Sequence, residues 1–322
     1  DAIGGHDRPK TMARNEENLK FAQLVMDTIN ERGLYKVHES PSEGHKRGVD
    51  HYTSEPARMH SLSCSINRYA NNHKTLPDLI SPRTLTEKLL VMKLFAEMPI
   101  PTPADKLAAE EFVPQKARSR LTPIRRFWSA SEPEIPRDLD LPAGNYWLKG
   151  NNGQGINHRF SWPMDQSGHE VASQKMQYWG QKSPPHGFWA GEWWYSTIEG
   201  RFFIEEDLAE PGQDIVDWKF WVVAGRVQLV QVDRDRSTGH IQMIFDRGFN
   251  FIPKELYFKT SDEPQTRPER FEDMVHLAEA IGSKLEFARV DLYARAVSYT
   301  HLRAHETNNS ISYAVFCLKM GG

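Results

Sequence analysis

The stretch from Phe271 to Tyr293 constrains this chain more than any other. Phe271, Met274, Val275, Ala278, Ile281 and Leu285 recur at the 3.6-residue period, and Pro268 stands where a first-turn proline starts such a helix. The helix runs directly into a strand, Glu286 to Tyr293, in which Ala288, Val290 and Leu292 alternate with Arg289 and Asp291. The apolar strand face turns towards the helix. An arginine and a carboxylate two residues apart are left together on the other face.

Other segments extend this helix-on-sheet pattern. Tyr146 to Lys149 and Arg201 to Glu205 are short strands, and Asn151 to Gly155 forms a sharp turn. Trp218 to Val223 and Val227 to Val232 flank Ala224-Gly225-Arg226 as a hairpin, followed by a strand from His240 to Phe245. Leu208 to Gln213 reads as a turn and Ala172 to Trp179 as helical. Towards the N-terminus, Asn18 to Ile29 is a helix with Phe21, Leu24, Val25, Met26 and Ile29 on its apolar face. A second begins at Thr84, which has capping-box spacing to Glu87. A third spans Ala104 to Val113, with Asp105 at its positive end. Between the first two, Glu39 to His60 is rich in His, Ser, Glu and Gly and reads as loop. Its His45, His51 and His60 have no metal-ligand spacing.

Composition narrows the function. Forty basic and 43 acidic residues leave a net charge of −3, which does not favour nucleic acid. No run of apolar residues is long enough to span a membrane, and Asp1 to Arg14 lacks the apolar stretch of a signal peptide. The first residue is not Met, as in a record that begins inside a longer reading frame. Only Cys64 and Cys317 occur, and a single native thiol fits a reducing cytoplasm.

Four constellations carry chemistry. Lys149 leaves a strand beside Gly150-Asn151-Asn152-Gly153-Gln154-Gly155, so a cation and free backbone N–H groups can meet phosphate; a surface turn is the plainer alternative. Phe203-Ile204-Glu205-Glu206 ends a strand in carboxylates, as an adenine-binding hinge or a solvated strand end does. Lys219, Arg234 and Arg236 are cations able to clamp developing phosphoryl charge, or members of a surface salt-bridge ladder. Arg289 and Asp291 can hold a triphosphate and its Mg²⁺, or simply each other. Trp147, Trp193 and Trp221 read as core. Trp179, Trp189 and Trp194 are the candidates for stacking on a sugar or adenine ring.

Taken in order, these segments resemble the ATP-grasp superfamily, and most closely its TupA-like polysaccharide-biosynthesis branch. The resemblance runs from about Ser81 to Tyr293. It rests on Leu85-Thr86-Glu87-Lys88-Leu89, Ala104-Asp105-Lys106-Leu107-Ala108, Leu148-Lys149 with its loop, and Glu192-Trp193-Trp194-Tyr195. Ile204-Glu205-Glu206, Asp217-Trp218-Lys219-Phe220, Gln231-Val232-Asp233 and Arg289-Val290-Asp291 complete it. The resemblance implies an α+β fold in which two subdomains sandwich ATP, after a helical N-terminal region and with an incomplete C-terminal strand set. The corresponding divisions are residues 1–80, 81–143, 144–213, 214–296 and a tail, 297–322.

The same resemblance implies the site. Lys149 contacts phosphate, Gly153 and Gly155 lie in a lid loop, Glu205 accepts from the adenine amino group, and Leu208 offers its backbone at the hinge. Lys219 and Arg289 are the catalytic phosphate clamps, and Asp291 binds Mg²⁺. The implied reaction is carboxylate–amine ligation through an acyl phosphate, by a cytoplasmic bacterial enzyme of cell-surface polysaccharide synthesis. Its partners are ATP, a small-molecule or saccharide carboxylate and an amine, with association with the polysaccharide machinery. A sugar phosphotransferase, a glycosyltransferase-associated protein and a non-catalytic nucleotide binder are the alternatives.

The family's next strand should carry a Glu that completes the metal site. The chain instead reads Val297-Ser298-Tyr299-Thr300-His301-Leu302-Arg303-Ala304-His305-Glu306-Thr307 and, later, Ile311-Ser312-Tyr313-Ala314-Val315-Phe316-Cys317-Leu318. Both strings resemble translated sequencing-adapter segments, in the order and frame in which adapters carry them. On that reading the native sequence ends near Ala296, and His301, His305, Glu306 and Cys317 are not ligands. The last sheet edge is then unpaired or wrongly filled, and the chain as it stands is expected to be impaired.

Overall fold

The computed structural model describes residues 8–35, 43–118, 123–153, 155–181, 191–209, 214–255, 258–263, 265–283, 285–294 and 299–305. They fall into two compact units, one drawn from residues 8–101 and 191–197 and the other from residues 102–181 and 198–305. Trp189 and the turn at 210–213 lie outside the described residues, as do Glu306 and Cys317.

The first unit is mainly helical: α1 (Arg8–Arg32), α2 (Gly48–Thr53), α3 (Pro56–His73) and α4 (Leu85–Phe95), with an antiparallel pair of β1 (His45–Arg47) and β2 (Glu97–Pro99) and a 3₁₀ turn at Trp193–Thr197. Helix α1 is longer than its apolar period suggests. It buries Asn18, Ala22, Val25, Met26 and Ile29 and packs on α3, whereas Leu24 stays exposed. Within the expected loop at 39–60, residues 45–60 hold β1, α2 and the start of α3, and residues 39–42 lie outside the described residues. Polar composition concealed α2, whose Val49, His51 and Tyr52 are buried; Tyr52 meets Phe95 edge-on at 6.2 Å. Gly48 lets α2 reach α4, because a Cβ there would lie 1.8 Å from the Leu94 carbonyl oxygen. Helix α4 begins on the expected capping box. Thr84 Oγ1 accepts from the Glu87 backbone N–H, and the Glu87 carboxylate accepts from the Thr84 N–H at 2.9 Å.

The second unit holds two antiparallel sheets. One has the order β3-β6-β4-β5, from β3 (Arg126–Ala130), β4 (Gly144–Gly150), β5 (Asn157–Trp162) and β6 (Phe202–Glu206). Helix α6 (Gln166–Gly180) covers one face, where Ala172 and Met176 pack with Tyr146, Leu148, Phe160, Phe202 and Ile204. The other sheet contains β7 (Asp217–Val223), β8 (Arg226–Arg234), β9 (Ile241–Phe245), β10 (Phe251–Ile252), β11 (Phe287–Ala294) and β12 (Tyr299–His305), in the order β10-β9-β8-β7-β11-β12. Ala224 and Gly225, at φ 47° and 73°, form the tight turn that the hairpin between β7 and β8 requires.

The apolar stripe forms α7 (Phe271–Gly282) and packs on Trp218, Phe220, Val222, Val230, Val232, Ala288, Val290 and Leu292, as expected. Pro268 is not the first helical residue; its carbonyl accepts from the Phe271 N–H at 3.0 Å. The expected helix at 104–113 reduces to turns and a 3₁₀ segment, Ala109–Phe112, followed by the short α5 (Gln115–Arg118). Asp105 is engaged elsewhere: its Oδ1 accepts from the Leu107 N–H at 2.8 Å and from Asn151 Nδ2 at 3.0 Å.

Candidate nucleotide site

Strand alternation makes the site. Because Trp218, Phe220 and Val222 turn into the α7 core, Asp217, Lys219 and Trp221 turn the other way. Register brings their neighbours alongside: Asp291 stands opposite Lys219 on β11, while Gln231 and Asp233 stand opposite Lys219 and Asp217 on β8. Gln242 on β9 stands opposite Asp233. All these polar side chains are buried.

The contacts form one network. Lys219 Nζ donates to Asp233 Oδ2 at 2.6 Å and also to Asp217 Oδ2. Asp233 accepts further from Gln242 at 3.0 Å and from Gln231 at 3.1 Å. Burial acts to raise the Asp233 pKa, but Lys219 and these amides override it and hold it at about 2. Arg236 reaches Asp217 Oδ2 at 3.2 Å. Arg289 holds both oxygens of Asp291, at 2.8 and 2.9 Å. Burial works against the Arg289 charge, yet Asp291, with Asp217 and Asp233 beyond it, keeps its pKa above the usual arginine value.

Three cations, Lys219, Arg236 and Arg289, thus meet three carboxylates. Some valence is left over. Asp217 Oδ1, Gln231 Oε1 and Trp221 Nε1 have no hydrogen-bond partner among the described residues. Arg234 does not join this group; it lies on the opposite face of β8 and donates to Ser261 Oγ at 3.2 Å. No set of three or more His, Cys, Asp or Glu side chains among the described residues could hold a metal unaided. Mg²⁺ needs fewer, since it takes one or two carboxylates and completes its shell with water and phosphate oxygens. The unpartnered oxygen of Asp217, one diagonal step from Asp291 across the β7–β11 register, fits that requirement.

The four-stranded sheet has a polar face of its own. Lys149 on β4 forms a buried ion pair with Glu205 on β6, and its ammonium lies 5.7 Å from the centre of the Trp147 ring. Trp147 Nε1 donates to Asp207 Oδ1 at 3.1 Å. Thus the two residues expected at opposite ends of ATP, phosphate and adenine, contact each other in this structure. Leu208 comes directly after Asp207 and is half-buried.

Lys106 and Asn151 are the residues to which sequence reasoning gave no role. Lys106 Nζ donates to the carbonyl of Gly150 at 2.6 Å and to that of Gly153, so it ties down the loop that continues to Gly155. Asn151 Nδ2 donates to the Glu199 carbonyl at 3.0 Å, and its Oδ1 accepts from the Arg201 N–H at 2.7 Å. Of the stacking candidates, Trp194 is fully buried, and half-buried Trp179 lies 6.4 Å from the Phe202 ring. Trp193 is buried as expected for core.

Residues 189–301 match the family model described as TupA-like ATPgrasp. No curated protein matches. Among solved structures, the ATP-grasp ligase PsnB complexed with minimal precursor aligns at 12% identity over 66% of this chain and 55% of that one, with a TM-score of 0.34. PsnB with minimal precursor, Mg and ADP aligns at 13% identity over 67% and 58%, with a TM-score of 0.32. The macrocyclase MdnC bound with precursor peptide MdnA from Microcystis aeruginosa MRC aligns at 11% identity over 64% and 58%, with a TM-score of 0.29. The chain therefore spans less than two thirds of the length of these proteins. The family match includes Glu205, the Lys219–Asp233 network and the Arg289–Asp291 pair, and stops five residues into the adapter-like tail. The likeness to the TupA-like ATPgrasp family model thus lies in residues 189–301, the part of the chain that carries this polar sheet face.

Proposed function

We propose that the chain is the larger part of an ATP-dependent ligase joining a carboxylate to an amine. The buried polar face of the six-stranded sheet carries this reading. Burying two cations and three carboxylates on strands that already own an apolar core, with exposed Arg236 at their rim, adds little stability, so the network is better explained by a charged ligand. A polyanion alone would meet as many carboxylates as bases. Accompanied by Mg²⁺ it would not: Asp291 and Asp217 would hold the ion, while Lys219 and Arg289 would turn to phosphate oxygens. Bound there, Mg²⁺ would supply Lewis-acid charge to the phosphoryl oxygens.

On the other sheet, Lys149 exchanges Glu205 for a phosphate oxygen, which releases Glu205 for the adenine amino group. Gly153 and Gly155 cover the phosphates, and the Leu208 backbone meets the base. The donor carboxylate oxygen attacks the γ-phosphorus and ADP leaves. The amine nitrogen then attacks the acyl carbon, and inorganic phosphate leaves as the amide forms. The protein's share is alignment and charge stabilisation. The substrate class this reading favours is an amino acid joined to an envelope polysaccharide, made in the bacterial cytoplasm.

We further infer that residues 297–318 are not the native continuation and that the 322-residue chain is impaired. Strand β12 fills the edge beside β11, yet none of its residues, Tyr299–His305, is the carboxylate that a metal-binding strand would supply. The test is ADP release by the protein with its uninterrupted C-terminus. Release that requires both a carboxylate and an amine is expected. Release with a sugar hydroxyl alone, or ATP binding without turnover, defeats the ligase reading. Efficient ligation by the 322-residue chain defeats the inference about its tail.

A further inference from the structure

The first unit contains a cavity of about 360 Å³ that the nucleotide reading does not use, lined by Lys46, Arg47, His51, Arg58 and Trp193 among others. That volume is in the range of small-molecule sites. Two buried ring nitrogens in its wall are unsatisfied. His51 Nε2 and Trp193 Nε1 have no hydrogen-bond partner among the described residues, although the side chains are only 9% and 2% exposed. Their rings lie 5.5 Å apart.

Both nitrogens are donors. Arg58 Nη1 lies 3.3 Å from His51 Nδ1, and since arginine can only donate, Nδ1 is the acceptor and the ring proton sits on Nε2. Burial, then the charges of Arg58 and Lys46, lower the His51 pKa to about 4, so the imidazole is neutral near pH 7. The remaining wall also offers donors and positive charge. Arg58 donates to Ser54 Oγ at 2.7 Å and pairs with Glu55 at 3.3 Å; Lys46 is exposed at the rim. The Ser196 and Thr197 hydroxyls both donate to backbone carbonyls, at 2.7 Å. The one lining carboxylate, Asp50, is tied to Arg47 at 2.7 Å. With Arg47 paired to Asp50 and Arg58 to Glu55, Lys46 and two unsatisfied N–H groups remain, and such a wall selects a ligand rich in acceptors.

We propose that this cavity is a binding site for a small oxyanion-bearing molecule, whose carboxylate or phosphate oxygens face Lys46 and Arg58 and, with a small turn of the two rings, accept from His51 Nε2 and Trp193 Nε1. The assignment stands apart from the nucleotide reading, because every residue in it belongs to the first unit.

The test uses the full chain with its tryptophans labelled at the indole nitrogen, titrated with inorganic phosphate and separately with malonate, against potassium chloride at equal ionic strength. One indole N–H signal should shift saturably, and it should be the signal missing from Trp193→Phe. Lys46→Gln, at an exposed side chain, should weaken binding about threefold to tenfold, and His51→Gln by about fivefold or more. Preference for phosphate assigns a phosphorylated ligand; preference for malonate assigns a carboxylate. The proposal is overturned if neither anion moves the Trp193 signal beyond the chloride control. It is equally overturned if Lys46→Gln, which does not depend on a buried substitution, binds as the parent does.

Discussion

Asp233→Asn tests whether the polar sheet face is held by charge. In the folded chain the Asp233 pKa falls from its ordinary 3.8 to about 2, so the ionised form is favoured by about 2 kcal/mol. The group's folded pKa is depressed, so this stability is present above pH 3.8 and is lost as pH falls through about 2. At pH 3 about half of it remains. Removing the charge also takes from Lys219 a partner at 2.6 Å, but Asp217 stays. The loss should therefore fall near the lower end of the ~3–5 kcal/mol seen when a buried pair is broken, at about 2–3 kcal/mol. Urea unfolding followed by far-ultraviolet circular dichroism, at pH 7, 5 and 3, measures the gap between parent and variant. The gap should be constant between pH 7 and 5 and should shrink by about half at pH 3. An equal gap at all three values would mean that shape rather than charge accounts for it, and would refute the reasoning.

Three further substitutions separate scaffold from site. Gly48→Ala forces a Cβ to 1.8 Å from the Leu94 carbonyl oxygen and should lower stability by about 3 kcal/mol or more; a thermal melt close to the parent's would show that α2 and α4 can move apart freely. Glu87→Gln removes a carboxylate that accepts from the Asp78, Arg83 and Thr84 backbone N–H groups and whose pKa is lowered to about 2 despite burial; it should cost about 1–3 kcal/mol at pH 7, and this cost should fade as pH drops from 4.5 towards 2. Lys106→Met unties the Gly150 and Gly153 carbonyls, so the KM for ATP should rise about tenfold with kcat less affected, measured on the protein with its native C-terminus. An unchanged KM would leave Lys106 a purely structural residue.

How much could be read beforehand depended on how local each feature is. The apolar stripe of α7, the β7–β8 turn and the alternation of Arg289 and Asp291 are written in short windows, and each stands where the sequence places it. The pairing of Asp291 with Arg289 was legible for the same reason, since residues two apart on a strand share a face. The second carboxylate on Lys219 was not. Asp233 reaches it only because β8 pairs with β7 in a register that no sequence window contains. Lys106 was hidden in the same way, acting on carbonyls 44 and 47 residues away. Helix α2 was missed for a different reason: its six residues are too few for an amphipathic period, and tertiary burial of Val49 and Tyr52 outweighed a polar composition.

The two faces of the six-stranded sheet also part the consequences of the tail. The apolar core under α7 is drawn mainly from α7, β7, β8, β9 and β11 as far as Leu292, and its folding is expected to depend little on which strand pairs with β11 at its outer edge. The polar face does depend on it. Asp291 already shares both oxygens with Arg289, and β12 brings Arg303 into register beside it. No residue of β12 is a carboxylate, so nothing there competes with Arg289 for a metal ion, whereas a native strand carrying a carboxylate would favour Mg²⁺ at Asp291. Restoring the native continuation should therefore change the unfolding midpoint little and raise ATP turnover severalfold or more, with Mg²⁺ dependence appearing at the same time. If the restored protein gains stability by several kcal/mol but no Mg²⁺-dependent turnover, the missing segment belongs to the scaffold, and the metal site must be sought away from Asp291.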